Sequence, residues 1–132
     1  RPGVGPPIHA GVYEDDVVLA FLDIGPLVEG HLLVIPKRHY ATVMETPDAA
    51  LGAVAERLPR LARALLAATS AKACHVLANN GEEAQQSIRH LHYHLLPRRH
   101  GDHFAIPWNT GKLEPAGAAK LAAGIRKNLA SQ

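Results

Sequence analysis

His90-Leu91-His92-Tyr93-His94 places an imidazole at every second position, and Leu95-Leu96-Pro97-Arg98 follows directly. A period of two is that of an extended strand. The pattern predicts one face with three imidazoles and an opposite face with Leu91, Tyr93 and Leu95. Same-face neighbours on a strand lie roughly 6.5–7 Å apart, near enough to surround one phosphorus centre or one metal ion. A row of imidazoles contributes little to packing, so the run points to chemistry.

Two chemistries compete for it. Three imidazoles can hold zinc with the fourth position open, which would make a zinc-dependent hydrolase. Ligands alternating along a flat strand splay apart, however, and no glutamate lies beside the run to serve as base toward a zinc-bound water. Covalent catalysis fits better. Neutral imidazole is a good nucleophile near neutral pH and a good leaving group once protonated. His92, in the middle, is the expected nucleophile, with His90 and His94 touching phosphate oxygens or moving protons. Attack through one ring nitrogen requires the other to hold its hydrogen against an acceptor. The loop ahead of the run, Gln85-Gln86-Ser87, offers hydrogen-bond donors to oxygens on which charge develops. Neither a metal nor any other cofactor is expected.

The elements that must position these groups are legible as short apolar runs and turn signals. Val17–Leu22 reads as a buried strand that ends at the turn Asp23-Ile24-Gly25-Pro26. Gly30 releases a second strand, His31–Ile35, stopped by Pro36. Thr46-Pro47 reads as an N-cap with proline at the first helical position. Leu51, Val54, Leu58, Leu61, Leu65 and Leu66 then recur at helical spacing, and Pro59 should kink or interrupt that helix. Cys74–Ala78 reads as a third strand. Asn79-Asn80-Gly81 reads as a turn in which Gly81 supplies a positive φ, and Pro115–Leu129 as a terminal helix. Strands on both sides of one long helix predict an α+β fold with a mainly antiparallel sheet. Residues 1–11 read as a flexible lead, and 12–132 as a single domain.

Composition narrows the function. The chain has 132 residues, of which 47% are apolar and 20% charged, enough for one real core. A net charge of +2 is too small to argue for nucleic acid, and none is expected as a partner. The single cysteine, Cys74, rules out an internal disulfide or a Cys-x-x-Cys clamp and reads as a small buried residue. No apolar run approaches membrane-spanning length, and the amino terminus lacks the apolar core of a signal peptide. No membrane contact and a cytoplasmic location are the resulting expectations.

Gln86-Ser87-Ile88-Arg89-His90-Leu91-His92-Tyr93-His94-Leu95-Leu96 closely resembles the signature of the histidine triad (HIT) family, His-φ-His-φ-His-φ-φ with φ apolar. Further stretches agree in order: Val12–Asp16, Phe21–Pro26, Gly30–His39, Asn79–Gly81, and Pro97–Phe104, which resembles the tail of bacterial members. The resemblance implies a five-stranded, mainly antiparallel sheet with a long helix and a C-terminal helix. It also implies a homodimer. It implies a hydrolase or transferase acting at the α-phosphate of purine nucleotides, such as nucleoside phosphoramidates or dinucleoside polyphosphates, through a nucleotidyl-histidine intermediate. Carried over by position, His92 is the nucleophile, His90 supports its orientation, His94 contacts the phosphate and His31 faces the site. Asp23 accepts the ribose hydroxyls, Phe21 and Ile24 wall the base, and Asn79, Gln86 and Ser87 contact the ribose or phosphate side. The chain departs from the pattern at Gln85, where many members carry glycine, and in lacking the cysteines usual near the amino terminus. A nucleotide-binding regulatory module with little turnover is the rival reading, and the intact triad favours the enzyme.

Overall fold

A computed structural model describes residues 10–132. Five strands form one antiparallel sheet: β1 (Gly11–Glu14), β2 (Val18–Leu22), β3 (Leu32–Pro36), β4 (Ala73–Leu77) and β5 (Tyr93–Arg98). Their order is β1-β2-β3-β5-β4, so the strand carrying part of the histidine run is internal and β4 is an edge. Among the described residues three α-helices accompany the sheet: α1 (Asp48–Ala55), α2 (Leu58–Thr69) and α3 (Pro115–Ala130). The α+β expectation holds. Most of the flexible lead falls on residues 1–9, outside the described residues; of the remainder, Gly11 already belongs to β1.

The β1–β2 hairpin is closed by Asp15, whose Oδ1 accepts from the amides of Val17 and Val18 at 2.7 and 2.9 Å. Arg57 Nε donates to its Oδ2 at 2.8 Å, so the hairpin is tied to the junction between α1 and α2. The Val18 amide and the Arg57 guanidinium together hold the Asp15 carboxyl well below the usual carboxylate range. That junction is where the single helical pattern breaks. Pro59 has no N–H to give to a preceding turn, so it is accommodated only in the first turn of a new helix. The helix start differs from the sequence expectation. Pro47 is the N-cap, and Thr46 Oγ1 donates back to the Thr42 carbonyl at 2.7 Å instead of capping the amides ahead of it.

One face of the sheet packs on the helices. Val18 and Ala20 of β2, Leu32 and Val34 of β3 and Leu95 of β5 form a buried cluster with Val54, Leu61 and Leu65. A fully buried leucine or valine contributes about 1.5–3 kcal/mol, so this layer holds the sheet to the helices. The alternate residues define the other face. Phe21 pairs with Leu33, Leu33 with His94, and His94 with Leu77, a row across four strands on the side away from the helices. Tyr93 points to the helix side and packs on that core, and burial pushes its phenol up.

Beyond β5, Arg98 holds the tail. Its Nε and Nη2 fork the Asp102 carboxylate at 2.8 and 3.0 Å, Nη2 also donates to the Phe104 carbonyl, and Nη1 donates to His75 Nδ1 of β4. Cys74 is half-buried on the edge strand, not a core residue. Among the described residues no helix is long and apolar enough to cross a membrane.

Candidate active site

The expected three-imidazole face does not form. The ladder begins at Tyr93, and residues 88–90 bend ahead of it, so of the three histidines only His94 belongs to the strand. The Leu91 amide donates to the Tyr40 carbonyl at 2.7 Å, outside the sheet. His90 thereby turns away from the others. Its Nδ1 lies 3.1 Å from Nδ1 of His39, and its Nε2 donates to the Pro36 carbonyl at 2.7 Å. With its hydrogen on Nε2, His90 accepts at Nδ1, so His39 is the donor of that pair.

The other two histidines meet a third, His31, which immediately precedes β3. His92 and His94 rings lie 4.8 Å apart in an edge arrangement, and His31 and His94 rings 5.1 Å apart. His31 Nε2 and His94 Nδ1 are separated by 2.8 Å. Gly30 makes this placement possible. Its φ of +85° turns the chain into β3, and a Cβ there would come within 2.8 Å of Thr69 and 3.1 Å of Pro97. His31, 2% exposed, directly follows this turn.

The hydrogen-bond partners fix where the ring hydrogens are. His31 Nδ1 accepts from the Leu27 amide at 3.1 Å, so the neutral ring carries its hydrogen on Nε2 and donates to His94 Nδ1. His94, accepting at Nδ1, carries its own hydrogen on Nε2. His92 Nδ1 lies 2.7 Å from the His90 carbonyl, which can only accept. His92 therefore holds its hydrogen on Nδ1 and presents a lone pair at Nε2. The result is one imidazole with a lone pair at Nε2 beside another with a hydrogen at Nε2.

Asp23 lies at the buried end of the same group, 7% exposed. Its Oδ1 accepts from the Gly25 amide at 2.9 Å, so it also forms the turn read from the sequence, and its Oδ2 is 3.7 Å from His31 Nε2. Asp23, His31 and His94 each offer one ligand atom within 4.8 Å of the others. A metal-ligating imidazole donates its second nitrogen to an acceptor. His31 Nδ1 instead faces an N–H, so its Nε2 could bind an ion only by losing the Leu27 hydrogen bond. In this arrangement the group forms a hydrogen-bond relay that runs from the Leu27 N–H through His31 to His94.

Other expected contacts vary in placement. Phe21 is half-buried and shares the row with His94, and Ile24 is 59% exposed on the adjoining turn. Asn79 follows β4, and Ser87 is exposed in the loop leading to His92. Gln86 faces inward instead. Its Oε1 accepts from the Gly81 amide at 2.8 Å, and its Nε2 donates to the Ala41 and Ile88 carbonyls at 2.6 and 3.0 Å. Gln85 takes the left-handed conformation, φ +69°, which gives the family's glycine at that position a physical reason. Sequence reasoning read His39 as a structural or surface residue and Asn80 only as part of a turn, and found no partner for either; Asn80 Oδ1 accepts from the Val43 amide at 2.7 Å. No local pattern marks them, since their partners lie 51 and 37 residues away.

A family model described as HIT domain matches residues 9–101. An adenylylsulfatase of Arabidopsis thaliana is 37% identical over 124 residues, 91% of this chain and 62% of that protein. An adenosine 5′-monophosphoramidase of Saccharomyces cerevisiae is 45% identical over 80 residues, 61% of this chain and 48% of that protein. The chain thus spans about half to two thirds of the length of these two relatives. A crystal structure of a Streptococcus mutans UA159 protein superposes with a TM-score of 0.88 at 39% identity, covering 91% of this chain and 76% of that one.

Proposed function

The chain belongs to the histidine triad family, and from that premise we propose that it is a nucleotide hydrolase or transferase. It attacks the α-phosphate of purine nucleotide conjugates, nucleoside phosphoramidates or dinucleoside polyphosphates, through a nucleotidyl-histidine intermediate. The observation that carries this reading is the hydrogen bond from His92 Nδ1 to the His90 carbonyl, which leaves the Nε2 lone pair to react. Relatives named as an adenylylsulfatase and an adenosine 5′-monophosphoramidase supply the substrate class, a nucleotide with a displaceable group on its α-phosphorus.

The reaction runs in two balanced displacements. His92 Nε2 forms a bond to the α-phosphorus as the bond to the leaving group breaks. His94 Nε2–H donates to a phosphate oxygen or to the departing atom, which takes up the proton it needs. Water then attacks the phosphorus as the bond to His92 Nε2 breaks, its released proton replaces the one given to the leaving group, and His92 departs as neutral imidazole with its hydrogen still on Nδ1, bonded to the His90 carbonyl. His31 keeps His94 in the donating tautomer, because His31 Nε2–H occupies His94 Nδ1. The His92 ring departs readily because its Nδ1 hydrogen lets it leave as neutral imidazole. Asp23 Oδ2 accepts the ribose hydroxyls, while Phe21 and Ile24 flank the base. Asn79 and Ser87 serve the ribose and phosphate side.

Turnover of adenosine 5′-phosphoramidate by the purified protein tests the reading. His92→Ala is expected to lower kcat/KM by several orders of magnitude, since it removes the covalent route and not one hydrogen bond. A His92→Ala protein with near-native turnover would contradict it.

A further inference from the structure

The segment His39–Val43 runs beside the loop 79–91 and is stitched to it at four points. His39 Nδ1 donates to His90, and the Tyr40 carbonyl accepts from the Leu91 amide. The Ala41 carbonyl accepts from Gln86 Nε2, and the Val43 amide donates to Asn80. The second contact bears on the chemistry. The Leu91 N–H and the His90 C=O belong to one peptide unit, which is planar and trans, so the two groups point in opposite directions. Fixing the N–H on Tyr40 therefore fixes where the His90 carbonyl aims, and it aims at His92 Nδ1.

Gln86 is the link whose side chain is most fully committed. Every hydrogen-bonding group of its amide is used in a direction that an amide flip would reverse into repulsion: the oxygen receives the Gly81 N–H, and the nitrogen faces two carbonyls. Its own backbone N–H donates to the Gly81 carbonyl at 3.0 Å, closing the loop 81–86 on itself. At 9% exposed it has no amide hydrogen left to give a ligand.

We propose that Gln86 is a positioning residue for His92. It clamps the segment whose Tyr40 carbonyl holds the His90–Leu91 peptide, and through that peptide it sets the tautomer of the nucleophile. The inference rests on the hydrolase reading for its catalytic consequence, but the tautomer itself is observable without turnover.

The test is the isosteric change Gln86→Glu, which turns the donor facing two carbonyls into an acceptor at neutral pH. Long-range ¹⁵N–¹H correlation of the ring nitrogens reads the His92 tautomer. The unmutated protein is expected to show His92 as a single Nδ1–H form, and Gln86→Glu a mixture of both tautomers. In the same variant kcat for adenosine 5′-phosphoramidate is expected to fall about tenfold or more, as misplacement of a reacting group does. The Kd for AMP is expected to stay within about threefold, since lost pre-organisation strikes the reacting geometry more than ground-state binding. If Gln86→Glu does not fold, Asn80→Leu releases the same segment at Val43 and carries the same expectation. An unchanged His92 tautomer in a folded variant overturns the proposal. So does an AMP affinity that falls in step with kcat/KM, which would make Gln86 a ligand contact. An unmutated protein without turnover would sink the hydrolase reading while the tautomer measurement still decides this one.

Discussion

His92 has one lone pair and one N–H, and a backbone carbonyl two residues earlier decides which ring nitrogen carries which. The same economy governs Asp23. One of its oxygens is committed to the Gly25 amide, and the other faces the imidazoles. Charge-assisted hydrogen bonds of this kind contribute about 1.5–3 kcal/mol. Asp23→Asn is therefore expected to weaken AMP binding about tenfold or more and to narrow the preference for AMP over 2′-deoxy-AMP, both read by calorimetry. Equal affinities of the unmutated protein for the two nucleotides would leave Asp23 only its role in the turn. At this scale the sequence was informative about residue type and poor about direction. The triad and Asp23 stand out by chemistry and spacing. The alternation of His90, His92 and His94 imitates a strand face, yet the Leu91 amide bonds to Tyr40 instead of a neighbouring strand, and His90 leaves the row. Gln86 reads as a ligand contact because its partner at Ala41 lies 45 residues away and no local signal records it.

Strands and helices were easier to read than their ends. Apolar runs of the right length marked β2, β3 and β4, and Pro59 marked the helix break, because both signals are local. Thr46 looked like a cap, but its hydroxyl found the Thr42 carbonyl one turn back, a choice that depends on the preceding 3-10 turn at Val43–Glu45. Gly30 is the element-scale residue on which the site depends, since it lets the chain turn through His31 into β3 while Thr69 and Pro97 press close from α2 and β5. Gly30→Ala is expected to destabilise the protein by about 2 kcal/mol or more, from left-handed strain plus overpacking. Urea unfolding measures it, and a midpoint unchanged from the unmutated protein would show that the turn tolerates a side chain.

The whole molecule leaves β4 as an edge of the sheet, with Val76 45% exposed and no charged residue among Ala73–Leu77. An unpaired, uncharged edge is a template for another strand. We propose that a second copy covers it, through roughly residues 48–79, in a homodimer. Light scattering at micromolar concentration is expected to give twice the 14.1 kDa chain mass, and a monomer alone would count against it. Periodicity reports what one chain buries and not what two would share, so it carries no signal for this proposal. The central claim concerns one bond, between His92 Nε2 and a nucleotide phosphorus. The most direct measurement is a rapid quench of the protein with adenosine 5′-phosphoramidate into mild base, followed by mass spectrometry of the peptide carrying residues 90–98. An adenylyl group on His92, absent in His92→Ala, is the predicted result. Full turnover with no adduct at any quench time, or an adduct on another residue, would contradict the account.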